Sequence, residues 1–166
     1  VKASKHLVIF EHWEPHGQTC GASSGQQKRQ IEQRKKSLKS LDDMILSGRA
    51  YARLRKTQSL KAEEYHDEDL RFESLIPYVQ RKLPIYVHAN EVRQIEAAVH
   101  WANRHDLQII IVGGKAAWLT TDLLFTNKVP VIYENVTYLP SRRYEDYDQA
   151  YKGPALLHSA GVQFCI

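Results

Sequence analysis

In the second half of the chain, short apolar runs alternate with stretches in which apolar residues recur at helical spacing. Runs 84–88, 108–112, 129–133 and 162–166 are each about five residues long and rich in Ile, Val and aromatic residues, which predicts strands. Between the first two, Val92, Ile95, Val99 and Ala102 form one helical stripe. Asn90 is placed to cap that helix, and Glu91 suits its positive end. After Val112, Ala116, Ala117, Leu119, Leu123 and Leu124 predict a second helix. A long segment from Glu134 to Lys152 reads as a loop, and a short helix is expected to start at Pro154 and to stop at Gly161. Strands apolar on both faces imply a sheet covered by helices on both sides, or a barrel.

The first half reads differently. Residues 6–10 suggest one strand, and the Gly/Ser stretch at 21–25 a loop. From about residue 26 to 60 the chain is helix-prone, with Ile31, Leu38, Leu41, Ile45 and Leu54 as its apolar stripe and Gly48 as a candidate division. A second helix is expected over 69–82, with Leu70, Phe72, Leu75, Ile76 and Val79 on one face and a kink at Pro77. The fold class is therefore α/β, with parallel strands alternating with helices and basic helices ahead of them. We expect one domain over 1–166, with 1–83 the strand, loop and helical segment and 84–166 the β/α repeats. A strand that closes the chain suggests an incomplete domain.

Charge changes this picture little. The net charge of +4 is uneven: residues 26–61 carry eleven Lys and Arg against three acids. That stretch lacks interleaved aromatic residues for base stacking, so it reads as a solvated helix face, and no nucleic-acid partner is expected. No run is long and apolar enough for a membrane span, so no membrane partner is expected either. Cys20 and Cys165 are too few and too far apart for a disulfide framework or a cysteine zinc site.

If the strands are parallel, their carboxyl ends gather His88-Ala-Asn90, Gly113-Gly114-Lys115 and Glu134-Asn135, the best site candidate in the chain. His88 has the chemistry of a metal ligand or a base near neutral pH. Gly113 and Gly114 ahead of a helix suit an anion held by backbone amides, although neither G-x-G-x-x-G nor a Walker pattern is present. Glu134 is a candidate for orienting a ligand or coordinating a metal, and Arg142, in the Tyr- and Arg-rich loop, for gripping a carboxylate or peptide. His12 and His16 stand four apart, but Pro15 argues against the helix that would pair them. His100 and His105 lie on or beyond the exposed side of the 91–104 helix and are expected to be inert.

The run LPIYVHANEVRQIEAAVHWANRHDLQIIIVGGKAAW, continued through VPVIYENVTYLPSRRYEDYDQAY to LLHSAGVQFCI, resembles the later barrel segment of amidohydrolases related to imidazolonepropionase. The resemblance covers roughly residues 68–166. It implies part of a (β/α)8 TIM barrel and a metal-dependent hydrolase acting on C–N bonds of cyclic amides or peptides. It places His88 at the metal-binding histidine that ends the fifth barrel strand. It also implies a divalent metal, zinc or iron, in a full-length parent, and a small-molecule amide or peptide substrate held near Asn90, Gly113, Gly114, Glu134, Asn135 and Arg142.

Three departures stand beside it. There is no His-x-His pair of a first barrel strand, the sixth strand ends in Gly113 where the family offers a histidine, and no eighth-strand aspartate can be assigned. One histidine does not make a metal site. The chain alone is thus expected to be an inactive fragment that binds no metal, with exposed sheet edges through which copies could associate. The rival reading is a small three-layer α/β module that binds an anionic ligand at the Gly113–Lys115 turn.

Overall fold

The computed structural model describes residues 8–10, 24–58, 69–138 and 145–166. These fall into two compact units: 24–58 with 69–82, and 8–10 with 83–138 and 145–166. The first unit is helical. Its long helix α1 (Ser24–Gln58) runs through Gly48 without a break, and α2 (Leu70–Val79) packs against it. Gly48 marks a close approach and not a division, since a Cβ there would lie 3.4 Å from Leu75 Cδ1. Ile45, Leu75 and Tyr78 are buried, Tyr51 and Phe72 stack at 5.8 Å, and Arg55 pairs with Glu73 at 3.3 Å. Asp69 caps α2 by accepting from the Arg71 amide at 2.9 Å. Pro77 lies inside α2, which ends two residues later, so the helix is shorter than the 69–82 pattern suggested.

The second unit has the α/β architecture read from the sequence. Its strands are β1 (Val8–Phe10), β2 (Ile85–Ala89), β3 (Ile109–Gly113), β4 (Val131–Tyr133) and β5 (Phe164–Cys165). They form a parallel sheet in consecutive order, with β1 and β5 at its two edges. Helix α3 (Val92–Arg104) joins β2 to β3, and α5 (Gln149–Ser159) joins β4 to β5. Between β3 and β4 the expected single helix is divided into a 3₁₀ turn at Ala117–Leu119 and a short α4 (Thr121–Thr126). Right-handed crossovers, the rule for parallel strands, place the connections between consecutive neighbours on one side of a sheet.

Burial agrees with that geometry. Ile85, Val87, Ala89, Ile109, Ile111, Val131 and Tyr133 share one face through the strand register and are all buried. On the other face Val112 is buried, while Tyr86, His88, Ile110 and Ile132 are only half-buried. Beneath the buried face, α3 supplies Ile95, Ala98, Val99 and Ala102, each 3% exposed or less. Full burial of one such aliphatic side chain is worth about 1.5–3 kcal/mol, so this layer carries much of the unit's stability.

Three further details differ from the sequence reading. The cap of α3 is Glu91, one residue later than expected, and Gln94 reaches back to accept from the Asn90 and Glu91 amides at 2.8 and 3.0 Å. Helix α5 starts at Gln149, so Pro154 lies inside it and not at its first position. The Asp148 carbonyl closes the first turn by accepting from Tyr151 and Lys152, and the Lys152 ammonium bridges Asp146 and Asp148 at 3.1 and 2.9 Å. His105 is buried against Trp101, with ring centroids 5.4 Å apart, where an exposed imidazole had been expected.

Candidate functional site

The carboxyl ends of parallel strands are where such folds place functional groups, because rigid strands there deliver side chains into convergent loops. His88 is the penultimate residue of β2, and Glu134 directly follows β4. Although β3 lies between these strands, His88 Nδ1 and Glu134 Oε1 come within 3.9 Å. His88 is half-buried and Glu134 exposed, so the pair opens to solvent at the strand ends.

Between them, β3 ends at Gly113, which has φ +98°. Asn90 fills the space beside it: a Cβ on residue 113 would lie 2.5 Å from Asn90 Oδ1. That oxygen also faces the Lys115 amide at 3.5 Å, a long contact at the limit of a hydrogen bond. The Gly114 amide donates to the Ala89 carbonyl and the Ala116 amide to the Asn90 carbonyl, both at 2.9 Å. The Gly114 and Ala116 amides are thus turned toward the end of β2.

The loop after β4 is tied down at several points. Asn135 Oδ1 accepts from the Thr137 amide and hydroxyl, both at 2.7 Å. The Tyr138 hydroxyl donates to the Lys115 carbonyl at 3.0 Å and lies 2.9 Å from the Tyr133 hydroxyl. The Lys115 ammonium sits 5.2 Å from the centre of the Tyr138 ring. Burial pushes both phenols above their usual range, and the proton that Tyr133 donates to Tyr138 raises Tyr133 further. On the buried side Tyr133 lies under Gly153 of α5, where a Cβ would be 2.5 Å from the phenol oxygen.

Of the residues proposed from sequence, His88, Asn90, Gly113, Gly114, Glu134 and Asn135 all lie at the ends of β2, β3 and β4 or directly after them. His88 and Glu134 face one another, Asn90 packs on Gly113, and Asn135 serves its own loop. Arg142, His12 and His16 lie outside the described residues. The Tyr133, Tyr138 and Lys115 cluster was missed, although a Tyr at a strand end with a Gly in the next helix is a readable sign of close approach. Among the described residues no group of three or more His, Cys, Asp and Glu gathers. His88 and Glu134 offer two donors, which falls short of the three or four that a protein metal site uses.

The fold is shared with a solved amidohydrolase from Thermotoga maritima MSB8, at a TM-score of 0.63 over 76% of this chain. Sequence identity to that protein is 20%, and the match covers 33% of it, so the chain spans about a third of its length. No protein-family model and no curated protein matches the chain.

Proposed function

We propose that this chain is a segment of an amidohydrolase-like hydrolase whose functional centre lies at the carboxyl ends of β2, β3 and β4. The observation that carries this reading is the approach of His88 Nδ1 to Glu134 Oε1, at 3.9 Å, across the end of a consecutive parallel sheet. The fold likeness to the Thermotoga amidohydrolase supports the same class. Within that class, the resemblance of residues 68–166 to imidazolonepropionase-related enzymes favours C–N bonds of cyclic amides or small peptides as substrates.

His88 is assigned as a ligand to a divalent metal, zinc or iron, in a longer parent protein. His88 and Glu134 alone do not complete such a site, which takes three or four ligands, so the chain by itself is inactive and metal-free. What the chain contributes is placement: β2 presents the imidazole, the β4 loop presents the Glu134 carboxylate, and Gly113 leaves the space beside the end of β3 to Asn90. The edge strands β1 and β5 are where further strands of the parent, or a second copy, would pair.

Hydrolysis of a panel of cyclic amides and dipeptides by the parent, compared between the wild type and His88→Ala, tests this assignment. Turnover lost by several powers of ten is expected, because a missing metal ligand removes the activated water. Equal turnover in the two proteins contradicts it.

A further inference from the structure

In the helical unit, α2 packs against the second half of α1, where Gly48 meets Leu75 and Val79, Tyr51 stacks with Phe72, and Arg55 pairs with Glu73. Because α2 ends at Val79, beside Gly48, the first half of α1 runs on past it. There Arg29, Glu32, Gln33 and residues 35–40 are all exposed. With about 3.6 residues per turn, Arg29, Lys35, Lys36 and Lys39 fall within an arc of about 120°. That arc lies opposite the side on which Ile45 and Gly48 are buried. Glu32 is the one acid between residues 24 and 40. The packing of α2 thus turns a basic sequence into a basic face.

We propose that the first half of α1 docks on double-stranded DNA, through the phosphates and without sequence preference. Read from sequence, the stretch lacks the aromatic residues that stack on exposed bases, which argues against single strands. A duplex keeps its bases stacked inside and presents phosphates, for which Lys and Arg suffice and which carry no sequence information. The dimensions also fit. An α-helix about 10–12 Å across matches the major groove of B-form DNA, about 12 Å wide, whereas duplex RNA has a deep, narrow one. From Arg29 to Lys39 the helix rises about 15 Å, the length of about four phosphates on one strand. Other partners suit this face less well. Leu38 is the one exposed large apolar side chain among the described residues of this half, so a bilayer finds no apolar face to take up. A protein partner finds no aromatic or aliphatic cluster to anchor it. This inference is independent of the hydrolase reading.

The test is fluorescence anisotropy of a short labelled DNA duplex of mixed sequence, titrated with the 166-residue chain over a series of salt concentrations. Binding is expected at low salt, with the logarithm of affinity falling against the logarithm of salt at a slope of about −3 to −4 for four phosphate contacts. Lys35→Gln, Lys36→Gln and Lys39→Gln together should weaken binding by about tenfold or more and make the slope shallower by about three. Arg93→Gln, Arg104→Gln and Lys128→Gln together remove the same charge from exposed positions of the α/β unit, and should change affinity by less than about twofold. Glutamine suits a helix about as well as lysine, and circular dichroism checks that each variant is folded. If the α1 triple variant does not fold, Arg29→Gln with Lys36→Gln is judged instead, with a slope shallower by about two. Three results overturn the proposal: no binding at low salt, equal losses in the two triple variants, or tighter binding to single strands, duplex RNA or anionic lipid vesicles than to duplex DNA.

Discussion

Asn90 occupies the space that a side chain at position 113 would need: a Cβ on Gly113 would lie 2.5 Å from Asn90 Oδ1. This relationship gives a structural reason for the glycine that ends β3. The end of β3 is closed by a neighbour's side chain, and its backbone at φ +98° suits glycine alone. Gly113→Ala should therefore destabilise the chain by about 2–4 kcal/mol, from backbone strain and overpacking together. Adding Asn90→Ala should return part of that loss. Urea unfolding of the two single variants and the double variant measures both terms, and additive losses would show that the two residues do not share the space.

A second close approach gives a similar test on the buried side. Gly153→Ala places a methyl group 2.5 Å from the Tyr133 hydroxyl and should cost about 1–3 kcal/mol. Tyr133→Phe removes that oxygen and one hydrogen bond, and should cost about 1 kcal/mol alone. In the double variant the Gly153→Ala penalty should shrink. An unchanged penalty in thermal or urea unfolding would mean that α5 yields elsewhere.

Alkaline pH offers a third check. Burial, followed by the bond donated to Tyr138, holds the Tyr133 phenol above its usual range. A raised folded-state value means that the unfolded chain loses this proton first, so the contribution is fully present below about pH 10, the unfolded value, and declines above it. One such proton steepens the loss by up to about 1.4 kcal/mol per pH unit. Tyr51 and Tyr138 shift in the same direction, so Tyr133→Phe should reduce the alkaline slope without abolishing it. Unfolding free energies between pH 9 and 11 give the slope directly, and identical slopes in the two proteins would count against a protected phenol.

The histidines separate by burial. His105 is buried at the end of α3 against Trp101, while His100 is exposed on the same helix. His105→Ala should lose about 1–2 kcal/mol, and His100→Ala no more than about 0.5 kcal/mol. Circular-dichroism melts of the two variants compare them. A larger loss at His100 would reverse the assignment.

Much of this fold was legible because its signals are local. The runs ending at His88, Val112 and Tyr133 are too short and too β-branched for helices, and Val92, Ile95 and Val99 recur at helical spacing. The consecutive parallel order followed from those alternations, and so did the position of His88 and Glu134 at one end of the sheet. The errors arose where a residue's role is set by a distant neighbour. Asn90 has the chemistry of a cap but packs on Gly113, 23 positions away, and Glu91 caps in its place. Pro154 looked like a helix start because proline is favoured there, yet Asp148 and Lys152 close an earlier turn. The joining of Tyr133, Tyr138 and Lys115 needs the sheet order before it can be seen at all.

We propose that His88 belongs to the metal centre of an amidohydrolase-like parent. The most direct test is the zinc and iron content of that longer protein, measured by elemental analysis before and after His88→Ala, with circular dichroism to confirm that the variant is folded. Stoichiometric metal in the wild type and its loss in the variant are expected. Equal metal content in the two folded proteins, or none in either, would contradict it.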